Sequence, residues 1–266
     1  MKRQVFVVVV VLVILIGAVV VYMFIKSGTD EPSAWSSQRH VLFQESTISA
    51  LQSGDYDGDM SFKELRTHGN FGLGTFNDLD GEMVALDGSF YQIKSDGKVY
   101  LVNDSMKTPF ADVTSFETDT KLFLGNDENG TMNYTQVQHY VEEHFPTKNA
   151  FYAVKITGEY AYLKARSPPK QSVPYPPLTD ALKNQSMFEF QNVTGTMVGF
   201  WSPLYVNGLS TSGWHFHFIT ADRTHGGHVL DVMVRRVTVE IDETTALSVV
   251  LPHNAAFYAL NPLQGS

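Results

Sequence analysis

The stretch SGWHFHFITADRTHGGHVLD, residues 212–231, carries four of the chain's nine histidines, at His215, His217, His225 and His228. Trp214, Phe216, Phe218 and Ile219 mark its first half as a β-strand. Side chains alternate along a strand, so His215 and His217 share one face while Phe216 and Phe218 occupy the other. A turn through Asp222 to Gly227 returns the chain antiparallel and sets His228 opposite the pair. Three imidazoles converging from a hairpin, in a chain without cysteine, form the ligand set of a catalytic zinc site with an open position. His225 is a rival third ligand, although it lies in the turn, where an exposed histidine is the ordinary case. The competing reading of the pair is two solvated side chains. The aromatic residues packing the opposite face, together with the third histidine, weigh against it.

Composition narrows what surrounds this hairpin. A length of 266 residues allows one or two domains with an ample core. Hydrophobic residues at 43% and charged residues at 18% exclude wholesale disorder. The formal charge of −9 argues against nucleic acid as a partner, since nothing would neutralise its phosphates. The absence of cysteine removes disulfides, thiol catalysis and thiolate-bound metal.

Lys2 and Arg3 precede an uncharged apolar run from Val5 to Ile25. A helix of that length spans about 31 Å, enough to cross a bilayer. The exit at Met23-Phe24-Ile25-Lys26 offers no small-x-small cleavage site, so residues 1–26 read as an uncleaved signal anchor with its N-terminus in the cytoplasm. The remainder is then expected outside the membrane, anchored there, or secreted if the segment is cleaved. Residues 27–40 form a polar stalk. Sequons at Asn103, Asn129, Asn133, Asn184 and Asn192 act as glycosylation acceptors only in a host with that machinery.

Further along, Ser46 to Gln52 is a short helix candidate, and Ser61 and Glu64 have capping-box spacing for another. Residues 68–102 carry turn signals at Asp80-Gly81, Asp87-Gly88 and Asp96-Gly97, the pattern of an antiparallel meander. Gly69, Gly72 and Gly74 fail as a phosphate loop, because no Gly-Lys-Ser/Thr accompanies them. They fit close backbone approach instead. Strands are expected at Phe110 to Phe116 and Lys121 to Leu124. Tyr134 to Phe145 predicts a helix capped by Thr135, with Val137, Tyr140, Val141 and Phe145 on one face and His139 and His144 at the surface. Phe151 to Arg166 alternates around Gly158-Glu159 and reads as a hairpin. SPPKQSVPYPP, residues 167–177, has five prolines in eleven residues, which neither helix nor inner strand tolerates. It is taken as the seam between two subdomains, 41–166 and 178–266. After a short helix near Thr179 to Lys183, strands are expected at Val193 to Phe200, in the histidine hairpin, and at Val229 to Ile241 and Leu247 to Leu251.

Five motifs then stand in order: SALQSGDYDGD (49–59), HGNFGLGTFNDLDGEM (68–83), Arg166 to Gln171 leading to Pro174-Tyr175, GTMVGFWSPLYVNGLSTSGWHFHFI (195–219) and GGHVLD (226–231). Together they resemble the acetolactate decarboxylase family from about Val41 to Phe257. The resemblance implies conversion of 2-acetolactate to acetoin and CO2, zinc held by His215, His217 and His228, and active-site roles for Thr75, Glu82 and Arg166. It also implies a homodimer and an α+β, β-rich fold, with an N-terminal mixed sheet with short helices and a C-terminal β-domain carrying the metal. One departure stands out: family members usually have an acidic tail that brings a second carboxylate to the metal, and this sequence has no Asp or Glu after Glu243.

The chemistry calls for such groups. Loss of CO2 sends an electron pair into the neighbouring carbonyl, and a Lewis acid there stabilises the charge. Arg166 would anchor a carboxylate through its planar fork. Glu82 would relay the proton that follows, and Thr75 would position oxygen groups. Taken singly, each has an ordinary structural reading: a solvated turn glutamate, a surface arginine, and a threonine packed among glycines. Two other readings use the same residues. One is a cupin-type or hydrolytic three-histidine site with iron, distinguished by metal content and oxygen dependence. The other is a membrane-tethered metal- or ligand-binding module without turnover.

Overall fold

In the computed structural model, which describes residues 39–125 and 130–260, strands dominate and the helices are short. In chain order the strands are β1 (Val41–Glu45), β2 (Met60–Ser61), β3 (Phe71–Thr75), β4 (Glu82–Leu86), β5 (Ser89–Ile93), β6 (Val99–Leu101), β7 (Lys107–Thr108) and β8 (Ala111–Thr114). They continue as β9 (Thr120–Leu124), β10 (Met132–Asn133), β11 (Phe151–Ser167), β12 (Ser186–Ser202), β13 (Gly213–Thr220), β14 (Gly226–Thr244) and β15 (Ala246–Val250). The anchor and most of the stalk expected at residues 1–40 lie outside the described residues, as does the Asn129 sequon. Among the described residues, no helix is long and apolar enough to cross a membrane.

The first sheet has the order β15-β1-β8-β3-β4-β5-β6. Its three Asp-Gly turns deliver the expected meander, with β4 joined to β5 across Asp87-Gly88. The pairing of β1 with β15 is parallel and the others in this sheet are antiparallel, so the sheet is mixed. Every residue of β3 and β4 is buried, because both faces of the sheet are covered. One face packs Leu42, Phe71, Leu73 and Val84 against Phe200 and Ile219 of the second sheet. The other packs Phe43, Met83 and Phe90 under the short helix Phe62–Leu65. Gly72 and Gly74 permit the β3–β8 approach, since a Cβ there would stand 2.2 and 2.4 Å from backbone oxygens of Asp112 and Phe110.

The second sheet contains the long strands. β11 pairs β12 on one side and β14 on the other, β12 pairs β13, and β13 pairs the start of β14. That last pairing closes a four-strand circuit. Its interior is apolar, with Tyr160, Leu163, Phe216, Phe218, Val232 and Val239 all buried. Burying one such phenylalanine contributes about 1.5–3 kcal/mol, so the outward-facing alternation of β13 is strongly fixed. The helix Tyr134–Glu142 closes one end through Val137 and Val141. Strands cross between the halves of the sequence: β9 and β10 join the second sheet, and β15 returns to the first. The described residues form one compact unit.

Two expectations need correction. Residues 151–166 are not a hairpin but lie in the single strand β11; Gly158 is where β14 comes close, since a Cβ there would lie 2.1 Å from the Arg236 carbonyl oxygen, just ahead of the register shift between Glu159 and Tyr160. Glycine in a strand signals close approach as readily as a turn. The helix at 134 is capped by Asn133 rather than Thr135, in a capping box closed by Gln136. His139 and His144 are exposed, as expected.

Candidate active site

The site is built where β13, β14 and β11 of the second sheet meet β3 and β4 of the first. Strand alternation puts Phe216 and Phe218 in the apolar interior and turns His215 and His217 the opposite way. The turn after β13 is fixed by Thr220, whose hydroxyl donates to Asp222 Oδ1 at 2.6 Å. Gly226 and Gly227 then let β14 start close against its neighbours. A Cβ at Gly226 would meet the Phe218 carbonyl oxygen at 2.2 Å, and one at Gly227 the Arg166 carbonyl oxygen at 2.6 Å. His228 therefore falls in register with His217 on one side and Arg166 on the other.

The three imidazoles converge. His228 Nδ1 lies 3.3 Å from His215 Nε2 and 3.3 Å from His217 Nε2. His217 Nδ1 meets the Met83 carbonyl oxygen at 2.7 Å, so that nitrogen carries the hydrogen and Nε2 presents its lone pair to the others. A tetrahedral zinc site with bonds of about 2.0–2.1 Å has ligand atoms roughly 3.3–3.4 Å apart. The observed spacing is that tetrahedral edge, and the residues fit the ion. Burial holds all three rings far below the usual histidine range, His217 down to about 3, with nearby Arg166 acting in the same direction. Burial thus favours the neutral form of each ring, the form that offers a lone pair. His225 is elsewhere, exposed and bonded to Thr224 Oγ1.

Glu82 opens β4 and pairs in register with Thr75 of β3. Its Oε2 lies 3.4 Å from His217 Nε2, and the residue is only 6% exposed. Burial pushes its carboxyl up to about 7, while the Arg166 guanidinium draws it down. Arg166 stands on β11, its Nη1 donating to Gln185 Oε1 at 3.0 Å. Thr75 is buried and its hydroxyl donates to the Gly81 carbonyl oxygen at 2.6 Å, which secures the turn that presents Glu82. All six predicted residues line one cavity of about 300 Å³.

Several of its walls were not foreseen. Leu51, Leu178 and Leu182 supply apolar surface, while Asn207, Ser210 and Thr211 supply polar atoms. Gln185 has no motif to announce it. The polar loop NGLSTS lies within the motif at 195–219, but none of its residues had been singled out.

A β-rich fold that sets three imidazoles, a buried carboxyl and a guanidinium around one small cavity has the make-up of an enzyme active site for a small substrate. The particular family follows from comparison with known proteins. A sequence model of the family "Alpha-acetolactate decarboxylase" matches residues 42–262. The chain is 46% identical to the alpha-acetolactate decarboxylase of Methanosarcina mazei over 227 residues, 85% of this chain and 77% of that protein. It is 48% identical to that of Brevibacillus brevis over 219 residues, 82% of this chain and 75% of that protein. The crystal structure of alpha-acetolactate decarboxylase from Bacillus subtilis strain 168 superposes with a TM-score of 0.81 at 37% identity, covering 84% of this chain and 93% of that one. The chain belongs to the alpha-acetolactate decarboxylase family.

Proposed function

We propose that this cavity decarboxylates 2-acetolactate to acetoin and CO2, with zinc held by His215, His217 and His228. The observation that carries the reading is the pair of 3.3 Å nitrogen–nitrogen distances beside a buried Glu82. Bound there, the ion supplies a Lewis acid for the oxygen on which charge develops.

Arg166, held by Gln185, orients the substrate carboxylate through its fork of donors. The carbon–carbon bond to that carboxylate breaks, CO2 leaves, and the electron pair moves into the adjacent ketone to give an enediolate. Contact to the carboxylate vanishes as CO2 forms, so the arginine serves orientation rather than rate through tighter binding. Glu82, whose burial favours the protonated form near neutrality, delivers the proton to the carbanion carbon and so yields acetoin. Thr75 keeps the Glu82 turn in place through Gly81. Leu51, Leu178 and Leu182 narrow the cavity around the substrate's methyl groups and exclude water.

The two halves of the fold divide this labour. The first sheet brings Thr75 and Glu82, and the second brings the arginine and the histidines. The reading includes an anchor at residues 1–26 that places the enzyme outside the membrane, and a homodimer. Their support is the Val5–Ile25 run and the family resemblance. The test of function is incubation of the full chain with racemic acetolactate. Acetoin forms without chelator and ceases with it; formation unaffected by exhaustive metal removal overturns the reading.

A further inference from the structure

The motif at residues 68–83 and the stretch from Arg166 to Tyr175 meet at a residue that the proposed chemistry does not use. Asp78 lies in the turn between β3 and β4, which runs from Thr75 to Glu82. It faces the proline-rich segment that leaves β11 after Arg166 and leads to the short helix Leu178–Ala181. That segment and the residues just beyond it bring Pro168, Leu178 and Leu182 to the cavity wall and end at Gln185, the partner of Arg166.

Each polar atom of Asp78 has its own partner. Its N–H donates to the Tyr56 carbonyl oxygen at 2.9 Å, and its carbonyl accepts the Gln171 N–H at 2.7 Å. The Tyr175 hydroxyl donates to Oδ1 at 2.5 Å, and Lys170 Nζ to Oδ2 at 2.7 Å. Tyr175 also lies 3.0 Å from Asp57 Oδ1, but its single hydrogen goes to the shorter contact. The Lys170 pair is open to solvent and contributes least. Burial opposes ionisation of Asp78, yet hydrogen bonds from Lys170 and Tyr175 hold its carboxyl below the ordinary range, so Tyr175 donates to a charged acceptor. The Tyr175 ring packs on Tyr56 with centroids 5.2 Å apart, and the Tyr56 hydroxyl donates to the Pro176 carbonyl oxygen at 2.9 Å. The turn itself is strained: φ is 62° at Asp78 and 52° at Leu79, both left-handed. Aspartate tolerates that region and leucine does not, so the surroundings must hold it. Leu79 is buried and lines the cavity opposite the proline-rich segment.

We infer that Asp78 is a positioning residue: by accepting from Gln171 and Tyr175 it latches the segment after Arg166 to the turn before Glu82, and so sets how closely Leu79, Leu178 and Leu182 enclose the substrate. Without the latch, substrate must order that segment as it binds, and the ordering subtracts from affinity. The groups proposed to react are placed otherwise. Glu82, Arg166 and the histidines stand on β4, β11, β13 and β14, whose sheet pairing does not involve Asp78. Loss of the latch therefore falls on KM rather than on kcat. This kinetic form rests on the decarboxylase reading, whereas the latch itself does not.

The test pairs steady-state kinetics on racemic acetolactate with amide hydrogen exchange, both on the full chain. Tyr175→Phe, which removes one oxygen, and Asp78→Ala each raise KM about tenfold, the scale of a hydrogen bond to a charged group, and leave kcat within about twofold. Asp78→Asn keeps an acceptor and tolerates the left-handed turn, so it recovers a KM within about twofold of native. Lys170→Met leaves both constants unchanged, as an exposed ion pair should. Asp78→Ala/Tyr175→Phe is no worse than Asp78→Ala alone, because both remove the same contact. Without substrate, peptides covering 168–182 exchange faster in Tyr175→Phe while those of β11 keep the native rate. A native KM in Tyr175→Phe overturns the inference, as does a fall in kcat at unchanged KM, or effects that multiply in the double variant. Should the native chain make no acetoin, the decarboxylase reading fails and exchange alone decides: unchanged exchange over 168–182 in Tyr175→Phe then overturns the latch.

Discussion

Glu82 and Arg166 show how far single residues carry the account. Burial lifts the Glu82 carboxyl to about 7 and the guanidinium restrains it, so a proton is available near neutrality without a strong acid in the cavity. Glu82→Gln keeps the shape and loses that proton. The variant should retain zinc while turnover falls at least about a hundredfold, the scale of general acid–base catalysis; an unchanged rate moves proton delivery to another group. Gln185→Ala should free Arg166 Nη1 and raise KM about tenfold with a smaller change in kcat, since a hydrogen bond to a charged group is worth about 1.5–3 kcal/mol. Steady-state kinetics decide it, and an unaltered KM means that Arg166 is positioned by something else. His215, His217 and His228 were legible because strand alternation and a short turn are local rules. Glu82, Thr75 and Arg166 became legible only through resemblance, as their alignment depends on two sheets meeting. Gln185 was invisible: a lone glutamine before a strand has no pattern to read.

At the level of elements, the meander and the histidine hairpin were readable because Asp-Gly turns and period-two alternation are written in adjacent residues. β11 was misread for the opposite reason. Its Gly158 answers to the neighbouring Arg236 backbone, and a contact that distant in sequence looks like a turn from within the strand. The Asn133 cap was missed by two positions although its Gln136 partner was in view. Gly74 tests how tightly β3 sits on β8. Gly74→Ala places a methyl 2.4 Å from the Phe110 carbonyl oxygen, and overpacking of that kind costs about 1–3 kcal/mol. Thermal melts should show a Tm lowered by several degrees, roughly 2–4 °C per kcal/mol at this size. Gly130→Ala, with nothing among the described residues within 4 Å, should be nearly silent. Equal melts for the two would mean that the β3–β8 approach is looser than described.

Across the whole molecule, the exchange of strands explains why the proline-rich stretch alone could not reveal the architecture: β15 closes the first sheet from the end of the sequence. That edge also buries Glu45, which is pushed up to about 8 by burial, with Asp59 and Glu64 adding to the effect. The folded value lies above the unfolded one, so this group's stabilising contribution is complete below the ordinary glutamate range and is lost as pH rises through about 8. Glu45→Gln should melt with the native chain near pH 4.5 and at least roughly 4 °C above it at pH 9; parallel curves would mean that Glu45 is hydrated. The central claim is that the converging imidazoles hold the ion on which decarboxylation depends. Zinc content and acetoin formation measured together on His217→Ala test it most directly. Loss of one equivalent of zinc and of turnover, with the far-UV circular dichroism intact, is the predicted result, and full zinc content or persistent acetoin formation would contradict it.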